Sequence, residues 1–252
     1  MTERQAPPRR SPNQFPTTRL SLVLAAADAP GTESREAREA LDALCRMYWY
    51  PLYVFLRRRG HSVEEAQDLT QGFLANVLEK HTLRRFRHER GRFRSFLLTC
   101  AKHFLSHKRD LAGAQKRGGG VPDIALDAAI RTAEGRYGLE PRDDLTPEKV
   151  FEKRWALEVL DLAMARLRDE FVRDGKIVQF DRFKGYLTGD GDDISYRELA
   201  LKLEMTEGAV KVAVHRLRQR FHQSLRAEIS LTVVHPDDIG DEIRYLVAAI
   251  RG

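Results

Sequence analysis

The stretch SYRELALKLEMTEGAVKVAVHRLRQRF, residues 195–221, decides the fold of the C-terminal third. Ser195 and Glu198 have the spacing of a capping box, in which each side chain satisfies a backbone N–H of the other residue. A short helix therefore runs from Ser195 to Leu203. Glu204, Met205 and Thr206 make a turn, and Thr206 caps a second helix that extends to about Ala227. In it Val210, Val214, Leu217 and Phe221 recur at helical steps and form the inward stripe. Gly208, Val212, His215, Arg216 and Gln219 then point outward, with Lys211 and Arg218 on a flank. This set can donate hydrogen bonds to phosphates and purine edges, as a recognition helix in a major groove must. An exposed hairpin that touches no nucleic acid is the plainer alternative. Glu204 stands where such turns often place glycine, which predicts backbone strain.

Upstream, the pattern is also helical. Leu41, Leu44, Tyr48, Leu52, Phe55 and Leu56 mark a helix from about Glu33, bent at Pro51 and ended by Gly60. Ser62 with Glu65 opens the next helix, striped by Ala66, Leu69, Phe73 and Val77. After a basic turn, a third helix runs from about Arg92 to Leu111 on Phe93, Phe96, Leu97, Cys100, Ala101 and Phe104. Residues 1–16 read as a loose tail, and residues 17–32 as a lead-in with a short apolar stretch. Residues 114–146, rich in glycine and proline, read as a linker with one short helix. Thr146 and Pro147 then start a long helix to about Val172, striped by Phe151, Trp155, Val159, Leu162, Ala163 and Leu167, and a loop follows it up to Ser195. The expected fold is all-α, with small helical domains at 17–113 and 147–227 joined by a flexible linker. Residues 228–252 form an acidic extension, expected to be part helical. No β-strand run or sequence repeat stands out.

The 252 residues carry 43 Lys and Arg against 37 Asp and Glu, a net charge of +6, so the distribution of charge decides more than its sum. From His81 to Arg109 nine bases face Glu89 alone, and from Lys211 to Arg226 five bases face no acid. The acids gather elsewhere: 13 against nine bases in 121–174, and five against two in 227–252. Two basic patches in separate domains are a polyanion footprint. Core packing explains most of the phenylalanines interleaved with the first patch. Phe86, in the turn, is the candidate for base stacking. No stretch approaches the roughly 20 apolar residues of a spanning helix, and no signal segment opens the chain. Cys45 and Cys100 have no partner spacing for zinc or a redox pair. A cytoplasmic protein is expected.

Three stretches carry a family resemblance: 64–74 (EEAQDLTQGFL), 90–98 (RGRFRSFLL), and 195–200 (SYRELA) with 207–211 (EGAVK) and 215–218 (HRLR). In this order they resemble a bacterial RNA polymerase sigma factor of the sigma-70 family, of the extracytoplasmic-function type. The resemblance implies that Asp68, Leu69, Gln71 and Phe73 dock on the clamp of the polymerase largest subunit, with Leu69 or Phe73 partly core. It implies that Arg85, Phe86, Arg87, Arg92, Arg94, Lys102 and Arg109 melt and capture the −10 element. It also implies that Gly208, Lys211, His215, Arg216, Arg218 and Gln219 read the −35 element. Partners would be core polymerase and promoter DNA, with an anti-sigma factor as a further candidate, and no cofactor or membrane is implied. Where many relatives have Ser-Arg after the recognition-helix lysine, this chain has Val212 and Ala213. The extension 228–252 has no counterpart in the minimal family. Two alternatives stand for it: it masks the basic helix, or it packs on its own domain.

A helix-turn-helix regulator that ignores polymerase would not need the Asp68–Phe73 surface. An enzyme is disfavoured. His103 and His107 are spaced i, i+4, but no Glu follows His103 as a zinc protease helix requires. Asp190, Asp192 and Asp193 fail the calcium-loop pattern.

Overall fold

The Ser34 side chain accepts a hydrogen bond from the Ala37 backbone N–H at 3.1 Å, and from this cap a 24-residue helix runs through Arg58. The computed structural model describes residues 18–28, 34–78, 83, 86, 92–112, 127–138, 144–188 and 195–251. Among them every regular element is helical. In chain order the helices are α1 (Arg19–Asp28), α2 (Arg35–Arg58), α3 (Val63–Leu78), α4 (Phe93–Ala112), α5 (Asp127–Gly138), α6 (Pro147–Arg173), α7 (Ile177–Phe183), α8 (Gly185–Thr188), α9 (Tyr196–Lys202), α10 (Glu207–Ile229) and α11 (Ile239–Arg251).

All ten residues from Met47 to Leu56 are buried, so the second half of α2 is apolar on every side and lies at the centre of the fold. α1, α3, α5 and α6 surround it. Pro51 lies within α2 without ending it. The helix closes at Gly60, whose φ of +89° is a conformation that a side chain would strain. The Ser62–Glu65 capping box then opens α3 as the sequence predicts, with bonds of 3.0 and 3.2 Å.

α6 joins two cores. Its first half adds Val150, Phe151, Trp155, Ala156, Val159 and Ala163 to the core built around α2. Phe151 packs 6.3 Å from the Tyr48 ring and 6.4 Å from Phe55. Its second half adds Leu167 and Phe171 to a smaller core with Phe180, Phe183, Tyr186, Leu199, Val210, Val214 and Leu217. The helix-turn-helix is thus carried on a continuous helix rooted beside α2.

Three segments go beyond the sequence expectation. α5, inside the segment read as linker, is tied to α2: Glu134 accepts from the Tyr53 hydroxyl and, at 3.1 Å, from Arg57. On α6 it is held by Arg136–Glu158 at 2.7 Å. α1, read only as an apolar lead-in, is a helix pinned to the far end of the chain. The Leu20 N–H donates to the Ser230 carbonyl at 3.2 Å and the Thr18 hydroxyl to the Val234 carbonyl at 2.8 Å. Residues 177–188, read as loop, form α7 and α8. No helix among the described residues is long and apolar enough to cross a membrane.

Candidate nucleic-acid interface

Arg94, in the first turn of α4, is only 1% exposed. Its Nη1 donates to Glu242 Oε1 of α11. Its guanidinium lies between two rings, 4.6 Å from the Trp155 centroid and 3.7 Å from that of Tyr245. A desolvated cation needs such compensation from an anion and π faces. Arg94, expected to contact DNA, is in this conformation a core cation. Arg92 next to it stays exposed, 3.7 Å from Glu242 Oε2 and 4.1 Å over the Tyr245 ring. Burial pushes the Glu242 carboxyl above its usual value despite both arginines. The extension thus does not pack on its own domain alone: α11 reaches α6, α10 and the start of α4.

Phe86, the candidate for base stacking, is also buried. It is 7% exposed and packs edge-on against Phe93 at 5.2 Å and tilted against Phe96 at 5.0 Å. Both contacts enclose the ring, which packs in the core in this conformation. Along α4 the side opposite the phenylalanines is open: Ser95, Thr99, Lys102, His103, Ser106 and His107 are exposed. Lys102 pairs with Glu148 at 2.9 Å, which holds that carboxyl below its usual value. Arg85 and Arg87, and the side chain of Arg109, lie outside the described residues.

On α3, Asp68 is exposed and Leu69 and Gln71 are half-buried. Phe73 is 3% exposed and tilts against Phe104 at 5.7 Å. It anchors the helix and presents no docking face of its own. The outward surface is carried by Asp68 and Gln71, with part of Leu69.

The helix-turn-helix follows its sequence closely. The Ser195–Glu198 capping box is complete, and Thr206 accepts from the Ala209 N–H at 3.2 Å. Glu204 takes φ +52°, the left-handed conformation expected at a glycine-like position. Glu204→Gly should therefore relieve about 1 kcal/mol of strain, less some added unfolded-chain entropy, and raise the midpoint of thermal unfolding. A lowered midpoint would show that the turn is unstrained.

Val210, Val214 and Leu217 are buried, while Gly208, Lys211, Val212, His215, Arg216 and Gln219 are exposed. Lys211 pairs with Glu207 at 2.7 Å. Arg218 also donates to the Tyr186 carbonyl at 3.3 Å, which ties α10 to α8. Among the described residues no group of three or more His, Cys, Asp or Glu is placed to hold a metal ion. The contacts that sequence reasoning missed are Glu242, Tyr245 and Trp155 around Arg94; the one sequence signal toward them was the acidic charge of the extension.

A capped helix-turn-helix with an exposed, basic second helix is an architecture of DNA-binding proteins. Over residues 46–112, from the second half of α2 through α4, the chain matches the family model Sigma-70 region 2. That match supports a sigma-70 family sigma factor, and with it transcription initiation and DNA binding. No curated protein and no solved structure matches the chain.

Proposed function

We propose that the chain is a sigma factor of the extracytoplasmic-function type, which binds core RNA polymerase and directs it to promoters through −10 and −35 elements. The match to Sigma-70 region 2 over residues 46–112 carries the reading. In it Asp68 and Gln71 on α3 make the polar contacts to the polymerase clamp. Arg92 and Lys102, with Arg85, Arg87 and Arg109, neutralise the backbone of the melted −10 strand. Extruding a base from the stack costs a few kcal/mol, which contacts of this kind recover. Gly208, Lys211, His215, Arg216 and Gln219 face the −35 major groove, with Arg218 at the flank.

Supporting this reading, the outward face of α10 combines a glycine, which allows close backbone approach, with cationic and amide donors. Binding to core polymerase tests it. The full chain should co-elute with bacterial core polymerase on gel filtration, and joint Asp68→Ala and Gln71→Ala replacement should reduce the complex at least about tenfold, a loss of roughly 1.4 kcal/mol. Both positions are solvent-accessible, so the folded chain should be unaffected. If no complex forms while the chain binds DNA through α10, the protein is a helix-turn-helix regulator that does not engage polymerase.

A further inference from the structure

We propose that α11 is a built-in occupant of the −10 contact surface, its Glu242 carboxylate and Tyr245 ring standing where the phosphate and base of single-stranded DNA bind Arg92 and Arg94. The inference rests on the reading of α4 as the melting element. Glu242 lies between the two arginines, and Tyr245, three residues on along the same face, covers both guanidiniums at 4.1 and 3.7 Å. An anion and a flat π face side by side are the two chemistries that a nucleotide offers to arginine.

Two further observations point the same way. Arg94 uses only Nη1 toward Glu242, and its buried Nε and Nη2 find no hydrogen-bond partner among the described residues. A phosphate brings more acceptor oxygens to the fork of an arginine than the single carboxylate oxygen now bonded to it. The helix is also placed to leave. The turn before it is fastened to α1 through Ser230 and Val234, so the end of α10 stays in place. Beyond it, only the segment from His235 through the 3-10 turn at Pro236–Asp238 needs to swing. α11 is held by the burial of Ile239 and Leu246, by Ile243, Ala249 and Ile250 packed against the core, and by the Glu242 and Tyr245 contacts, while Val247 on its outer side is 41% exposed.

In the closed state, then, the chain competes with DNA for its own arginines. Apparent affinity for DNA is reduced in proportion to the fraction of molecules that are open. A labelled single-stranded DNA pool of about 12 nucleotides, a length within the site sizes of single-strand binders, is the probe. In fluorescence anisotropy Glu242→Gln in the full chain should bind it about tenfold more tightly than the unmodified chain, as expected if the open fraction rises tenfold. Adding Arg92→Ala should remove the gain. Unchanged or weaker binding by folded Glu242→Gln overturns the proposal.

Hydrogen exchange on the unmodified chain decides the matter even if that variant does not fold. Saturating DNA should speed exchange at residues 239–251. Exchange there that stays the same or slows overturns the proposal. Failure of the sigma reading is read separately, in transcription with core polymerase. Transcription with an unresponsive α11 removes the clamp alone, whereas a responsive α11 without transcription removes the sigma reading alone.

Discussion

Replacing Trp155 with alanine should destabilise the protein by about 3–5 kcal/mol, the range for deleting a large buried aromatic side chain. Trp155 is fully buried, in the half of α6 that packs against α2. Its ring also lies 4.6 Å from the Arg94 guanidinium, so truncation opens a cavity and strips one π face from a buried cation. Domains of this kind are stable by only about 5–15 kcal/mol. A large part of that margin would go. Urea unfolding followed by circular dichroism measures the loss, and a value below about 1 kcal/mol would mean that α6 does not depend on this contact.

Arg94→Met should cost a similar amount for a different reason. The substitution keeps most of the side-chain volume but leaves Glu242, itself 3% exposed, as a buried carboxylate with only Arg92 beside it. Breaking a buried pair from one side costs about 3–5 kcal/mol, whereas replacing both partners with apolar groups is often neutral or stabilising. The double variant Arg94→Met with Glu242→Met should therefore recover most of the loss. Equal stabilities for the single and double variants would show that the pair does not govern the stability of this region.

What the sequence disclosed, and what it hid, follows the range of each interaction. Caps at Ser62, Thr146, Ser195 and Thr206 act over three residues, so they were readable and their helices start where expected. The strained Glu204 was readable for the same reason. α7 and α8 were read as loop because each is short and, unlike the equally short α9, α7 has no side-chain cap at its start, although Phe180, Phe183 and Tyr186 at three-residue steps were a signal. α1 shows only a short apolar stretch, and its anchors to Ser230 and Val234 lie more than 200 residues away.

Arg94 is the clearest case. It sits amid nine bases in 29 residues and reads as one more phosphate contact. The carboxylate that buries it is 148 residues further along the chain. Local pattern reports a charge but not its burial. Phe86 was hidden in the same manner: a turn position says nothing of the two phenylalanines that pack against its ring.

Run-off transcription with bacterial core polymerase on a promoter pool, with and without the chain, tests the sigma assignment most directly. Discrete transcripts that require the chain and disappear on joint alanine replacement of Asp68 and Gln71 are the predicted result, and their start sites would define the −10 and −35 elements. With a core polymerase shown to respond to other sigma factors, a chain that binds DNA yet yields no such transcripts would contradict it.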